Sequence, residues 1–137
     1  MNPVRITPLY KASPDKLFAA WTEPDIMKKW LFRSDTSVIE RIETDLRPQG
    51  RFSIVERSGD KAIDHFGQYI AIEAPRALSF TLEVPEHFQG SSYVGISFKP
   101  SDEGCEMDFL QEGVDPKWVE ADWRRMFSAL ALVFLRG

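Results

Sequence analysis

Histidine is the side chain best suited to acid–base work near neutral pH, and the chain contains only two, His65 and His87. His65 lies in the segment "DHFGQYIAIEAPRALSFT", directly after Asp64. A catalytic histidine needs a partner that orients it. Neighbouring residues in a strand point to opposite faces, so Asp64 cannot be that partner. Strand alternation puts His65 opposite Phe66, and we expect His65 to face outward, with no catalytic triad around it.

Soft metal ligands are scarce in this chain. The two histidines and the single cysteine, Cys105, are too few to assemble three well-placed ligands readily. We therefore predict no metal site and no cofactor. A single cysteine also cannot form an intramolecular disulfide, which favours a reducing compartment.

Glu56 and Gln68 are polar residues at positions expected to face inward. An unpaired carboxylate in an apolar interior is costly. Either these positions lie at frayed strand ends in water, or they mark a hydrated cavity whose polar groups orient a ligand. In the second case Glu56 is the acid–base candidate, although no second titratable group shares its predicted side of the sheet.

The elements that would hold these residues can be read from local signals. "VRITPLY" predicts a first strand that Pro8 cuts short. Two short helices follow, because Ser13 with Pro14 is typical of a helix start and Pro24 repeats the signal. From Thr36 to Glu112 the apolar residues alternate, which indicates six antiparallel strands separated by the turns "RPQG", "SGD", "APR", "PEHFQG" and "SDEG".

A long helix is predicted from Asp115 to the end of the chain. Its apolar residues recur at three- and four-residue steps and form one broad face, which must be buried against the sheet. The predicted fold class is therefore α+β: a curved antiparallel sheet around a long C-terminal helix, with two short helices after strand one. We expect residues 1–137 to form a single domain.

The side chains expected between sheet and helix are mostly aromatic and aliphatic. They either fill a dry core or line a ligand cavity, and periodicity does not separate these alternatives. The candidate ligand-binding residues are Trp30, Phe52, Ile54, Glu56, Phe66, Gln68, Ile70, Phe80, Leu82, Ile96, Phe98, Phe109, Trp123, Met126, Phe127 and Leu130. Gly67 is expected to mark a bulge or a close approach of two backbones.

Composition narrows the choice of partners. The net charge is −4 and the basic residues are scattered, so we expect no nucleic-acid binding. The longest apolar run, "ALALVFL", is too short to span a membrane. The first residues contain no apolar signal segment, so we expect a cytoplasmic protein.

Four segments resemble one protein family in the right order along nearly the whole chain. "HFGQYIAIEAPRALSFT", "FAAWTEPDIMKKWLF", "ETDLRPQGRFSI" and "GVDPKWVEADWRRMFSALALVF" are similar to motifs of the family named after the activator of the heat-shock-protein-90 ATPase (AHSA-like). Two departures are Gln49, where the family usually has the first glycine of a pair, and the single proline in "EAPRAL". The turn at Gln49 is therefore expected to differ.

The resemblance implies the helix-grip fold of the SRPBCC (START-like) superfamily, which commonly leaves a hydrophobic cavity between the sheet and the long helix. On that basis we expect the protein to bind a hydrophobic small molecule, aromatic or acyl in character. Two alternatives remain: a cavity-based enzyme similar to cyclases or hydrolases, and a stress-response or chaperone-linked interaction protein. A binding module is favoured over an enzyme. The apolar "ALALVFL" segment is compatible with deep burial or with a homodimer contact.

Overall fold

The computed structural model describes residues 2–136. The elements, in chain order, are β1 (Val4–Ile6), β2 (Leu9–Tyr10), α1 (Pro14–Thr22), α2 (Pro24–Met27), β3 (Val38–Thr44), β4 (Arg51–Ser58), β5 (Lys61–Glu73), β6 (Ala77–Leu82), β7 (Ser92–Ser101), β8 (Gly104–Glu112) and α3 (Pro116–Arg136). The predicted fold class is confirmed, with a curved antiparallel sheet, two short helices after the first strands and a long C-terminal helix.

The strands lie in the order β1-β8-β7-β6-β5-β4-β3, so the six later strands form a meander and the first strand joins its far edge. The predicted first strand is split by Thr7 and Pro8. Both halves pair with β8, as Val4 with Gln111 and Leu9 with Glu106.

Two of the three predicted helix starts have a side-chain cap, whereas the start at Pro24 has none. The Ser13 hydroxyl accepts a hydrogen bond from the Lys16 backbone N–H at 3.3 Å, and Pro14 occupies the first helical turn. The Asp115 carboxylate accepts one from the Lys117 backbone N–H at 3.1 Å, ahead of Pro116 in α3. These acceptors satisfy donors that a helix start leaves unpaired.

The apolar face of α3 packs into the concave face of the sheet. Val119, Trp123, Met126, Phe127 and Leu130 are all buried there. Burying a large apolar side chain contributes about 1.5–3 kcal/mol, so this face alone is a major source of stability.

The turn before β4 has a glutamine, Gln49, at a backbone position that glycine usually occupies. Gln49 adopts a φ of 68°, a left-handed conformation that favours glycine. Its backbone N–H donates to the carbonyl of Tyr69 at 2.8 Å, and the Tyr69 N–H donates to the carbonyl of Gly50 at 2.9 Å. Two hydrogen bonds to β5 therefore hold a non-glycine residue in this conformation.

The predicted orientation of β5 is wrong over its first half. His65 is 2% exposed and faces the core, whereas Gln68 and Ile70 are exposed and Phe66 is half-buried on the other face. The register between β5 and β6 shifts between Tyr69 and Ala71. Such a bulge reverses the alternation. The expectation that Phe66, Gln68 and Ile70 face inward is therefore wrong.

Gly67 marks a close backbone approach and not the bulge itself. A Cβ built on Gly67 would lie 1.8 Å from the carbonyl oxygen of Thr81. Only a glycine lets β5 and β6 cross this closely.

Candidate functional site

Aromatic side chains fill most of the space between the sheet and α3. The Trp21 and Trp30 rings meet edge to face at 4.8 Å between centroids, and the Phe109 and Trp123 rings lie 4.5 Å apart. Such contacts are typical of close-packed aromatic pairs. Most of the interior is therefore packed core.

A pocket of about 40 Å³ remains at one end of this interior, where the N-terminal half of α3 meets β4, β5 and the loop after β6. Its walls are Phe32, Glu56, His65, Leu82, Val84, His87, Phe88, Gln111, Val119, Asp122, Trp123, Arg125 and Met126. Most of these side chains are apolar, while Glu56, His65 and Gln111 are buried polar groups. An apolar pocket with a few convergent polar groups is the usual form of a small-molecule site.

The neighbours of His65 fix its tautomer. Its Nδ1 lies 3.2 Å from the carbonyl oxygen of Ile54, which can only accept a hydrogen bond, so Nδ1 carries the proton. Burial lowers the pKa of His65 to about 4, and the hydrogen bond to Ile54 offsets only part of that effect. The imidazole is therefore neutral at pH 7 and its Nε2 is a hydrogen-bond acceptor.

Glu56 is the nearest carboxylate to that acceptor. Its Oε1 lies 3.7 Å from His65 Nε2, and the Glu56 side chain is 11% exposed. The low pKa of His65 means that this contact is not an ion pair at neutral pH. Two acceptors thus face each other across a gap that a hydrogen-bond donor would bridge.

Gln111 contributes a rigid polar wall. Its Oε1 accepts from the Trp123 indole N–H at 2.7 Å, and its Nε2 donates to the Ser92 hydroxyl at 3.0 Å. Ser92 in turn donates to the carbonyl of Leu82 at 2.8 Å. These hydrogen bonds fix Trp123 against the sheet and give each polar atom of the Gln111 side chain one partner.

Phe32 covers His65 from the segment after α2. Its ring stacks on the imidazole, with centroids 4.3 Å apart and planes 15° apart. Its φ is 57°, an unusual value for a bulky residue that costs on the order of 1–2 kcal/mol. The Phe32 N–H donates to the sulfur of Met126 at 3.0 Å. Contacts with β5 and α3 therefore offset the cost of this conformation.

The sixteen predicted site residues fall into three groups. Four line the pocket: Glu56, Leu82, Trp123 and Met126. Nine are buried in the core away from it: Trp30, Phe52, Ile54, Phe80, Ile96, Phe98, Phe109, Phe127 and Leu130. The remaining three, Phe66, Gln68 and Ile70, lie on the opposite face of β5, because the bulge reverses the alternation there.

Two alternatives for the polar positions are also resolved. Glu56 is 8% exposed within β4, so it does not lie at a frayed strand end. The expectation that it had no titratable neighbour on its side of the sheet was wrong, since His65 is there. Tyr69, another buried titratable residue of β5, packs against Phe52 and Phe80 and is not part of the pocket wall.

Comparison with known proteins gives a consistent family and fold. The model of the family described as "Activator of Hsp90 ATPase homolog 1-like protein" matches residues 11–134. None of the curated proteins matches the sequence.

No helix within residues 2–136 is long and apolar enough to cross a membrane.

Several solved structures share the fold at low sequence identity. A protein from Chromobacterium violaceum aligns with a TM-score of 0.88 and 20% identity, over 96% of each chain. The solution structure of an AHSA1-like protein from Aeromonas hydrophila aligns with a TM-score of 0.84 and 20% identity. The alignment covers 96% of this chain and 90% of that one. A protein from Nitrosomonas europaea aligns with a TM-score of 0.82 and 17% identity, and the alignment covers 98% of this chain and 94% of that one.

Proposed function

The chain belongs to the activator of Hsp90 ATPase homolog 1-like family, and from that premise we propose that it binds a small, mostly apolar molecule carrying a hydrogen-bond donor. The binding site is the pocket between the sheet and the N-terminal half of α3. The observation that carries the proposal is the pair of buried acceptors, His65 Nε2 and Glu56 Oε1, which lie 3.7 Å apart in a largely apolar pocket.

The electrostatics of this pair select the ligand. The neutral His65 offers a lone pair at Nε2 and the Glu56 carboxylate offers lone pairs at its oxygens, so both groups can accept hydrogen bonds from a ligand. A ligand hydroxyl or N–H placed beside them would donate to one of the two acceptors, and a group with two hydrogens, such as an NH₂, would donate to both. The surrounding Leu82, Val84 and Val119 side chains suit the apolar body of the same molecule.

Size is the second constraint. A pocket of about 40 Å³ holds only a few water-sized atoms, whereas ligand sites usually measure roughly 300–1,000 Å³. The loop of residues 85–91 forms the outer wall, where His87 is exposed and Phe88 is half-buried. Displacement of Phe88 on binding would enlarge the pocket.

Binding accounts for His65 better than acid–base catalysis does. A general base works best when its pKa lies near the operating pH. The pKa of His65 is lowered to about 4, so at neutral pH it is a weak base and remains a good acceptor. We therefore favour a binding protein over an enzyme of the cyclase or hydrolase type.

A ligand pair that differs by one hydroxyl tests the proposal. Fluorescence titration of the wild type should give saturable binding of 1-naphthol, and weaker binding of naphthalene. His65→Leu keeps the side chain's bulk and removes the acceptor, so it should weaken 1-naphthol binding about fivefold, the value of one hydrogen bond near 1 kcal/mol. Naphthalene binding should not change.

Two further variants provide the controls. Tyr69→Phe removes a buried hydroxyl that does not line the pocket and should alter neither ligand. Phe88→Ala widens the mouth and should strengthen the binding of both. The proposal fails if wild type and His65→Leu bind 1-naphthol equally well, or if neither ligand saturates. Native mass spectrometry of the purified protein would then show whether any small molecule is retained.

A further inference from the structure

A second concave surface lies between the two short helices and the C-terminal half of α3. This surface, which we call the helix groove, has a volume of about 1,050 Å³, and it shares only Arg125 with the walls of the interior pocket. Its capacity is that of a typical small-molecule site. It is therefore separate from the site proposed above.

The helix groove is positively charged although the chain as a whole carries −4. Three carboxylates line it, those of Asp15, Glu23 and Asp35. They face six basic residues, which are Lys11, Lys16, Lys29, Arg33, Arg125 and Arg136. A concave surface lined by an excess of one charge attracts ligands of the opposite sign.

The basic side chains of the groove also lack the partners that basic residues have elsewhere. Within residues 2–136, only Arg125 of the six has a carboxylate within 4 Å, that of Asp122 at 3.4 Å. Outside the groove most are paired, as Arg5 is with Asp108 at 2.7 Å. The three carboxylates therefore offset the positive charge of the groove only in part, and five of its six cations have no direct ion-pair partner within residues 2–136.

The groove floor is apolar. Leu132 is 49% exposed, and Ile26, Ala129, Val133 and Phe134 are half-buried along it. An exposed apolar strip bordered by cations suits a molecule with a hydrophobic body and an anionic end.

We propose that the helix groove binds a single-chain alkyl carboxylate, with the chain along Leu132 and Val133 and the carboxylate among Lys16, Lys29 and Arg33. Charge complementarity argues against a second copy of this chain as the occupant. A twofold dimer through this surface would place the same cations opposite one another. A neutral ligand would leave the unpaired cations without a partner.

Calorimetric titration with decanoate, below its micelle concentration, tests this assignment. Lys16→Glu/Lys29→Glu changes two exposed, unpaired cations of the groove and should weaken decanoate binding at least tenfold. Lys61→Glu/Lys99→Glu makes the same change of charge at exposed cations outside the groove and should leave binding unchanged. Decanol, which lacks the charge, should bind the wild type more weakly than decanoate does.

His65→Leu separates this site from the interior pocket, because it should leave decanoate binding unchanged. Equal affinity in the wild type and both charge-reversal variants would overturn the proposal, as would loss of binding in His65→Leu. Sedimentation with vesicles containing phosphatidylglycerol tests a membrane source. Binding of vesicles without binding of decanoate would also overturn the proposal. A dimer in gel filtration that Lys16→Glu/Lys29→Glu dissociates would overturn it as well.

Discussion

His65 should make the free energy of unfolding depend on pH. Burial lowers the pKa of His65 from 6.5 to about 4, whereas the unfolded chain takes up this proton near pH 6.5. Between these values the unfolded chain binds more protons than the folded protein. Stability therefore falls as the pH falls. The contribution is fully present above pH 6.5 and is lost as the pH falls to about 4.

The size of the effect follows from the two pKa values. A depression from 6.5 to about 4 corresponds to about 3 kcal/mol of differential stability. Small domains have only about 5–15 kcal/mol in total, so this loss is a large fraction of it. The 2% exposure of His65 leaves little solvent screening to reduce it.

Urea unfolding at several pH values between about 4 and 7 measures this loss in the free energy of unfolding. The wild type should lose about 3 kcal/mol more over this interval than His65→Leu does. Carboxylates distant from His65 contribute equally to both proteins and cancel in the difference, but Glu56 lies 3.7 Å from the imidazole, so both proteins should be compared in a Glu56→Gln background. His87→Leu is the matched control, because His87 is exposed, and it should follow the wild type.

The reasoning is refuted if the wild type and His65→Leu show the same pH slope. It is also refuted if His87→Leu, and not His65→Leu, flattens the profile. In the first case the imidazole is solvated in the folded protein. In the second the burial has been assigned to the wrong histidine.

Three substitutions test the packing. Phe80→Ala should lower the free energy of unfolding by about 3–5 kcal/mol, because the Phe80 ring packs in the filled interior. Denaturant unfolding measures this change, and an almost unchanged midpoint would indicate that a void already exists beside Phe80. Gly67→Ala should lower the free energy of unfolding by more than about 2 kcal/mol in the same assay, because the new Cβ would lie 1.8 Å from the Thr81 carbonyl oxygen. A variant as stable as the wild type would show that β5 and β6 can move apart at this point. Gln49→Gly should raise the melting temperature, relieving about 1 kcal/mol of left-handed strain, and a lower melting temperature would contradict this.

Local sequence signals were sufficient for most of the fold. Ser13 with Pro14, and Asp115 with Pro116, locate two helix starts because their chemistry acts within one turn. The alternation along β6, β7 and β8 holds because these strands pair without a register shift. The arrangement of sheet and helix followed from the single apolar face of α3, which only the sheet could bury, and the family resemblance added the expectation of a cavity between them.

The candidate site was less accessible to sequence reasoning. His65 was misplaced because Phe66 was expected to face inward, and the register shift between Tyr69 and Ala71 left no local signal. Gln111 was within reach, since extending the alternation of Met107 and Phe109 by two residues leads to it. Phe32 carried no signal, because its position depends on distant contacts with His65 and Met126.

The pairing of β1 with β8 has a consequence for the order in which the molecule folds. Arg5 and its partner Asp108 are 103 residues apart in sequence, so closing this edge of the sheet costs considerable chain entropy. The hairpins of the meander can form early, whereas this closure must follow synthesis of β8. During translation the concave face stays uncovered until α3 has been made. The nascent sheet therefore passes through a stage in which its aromatic face is open to aggregation or to chaperones.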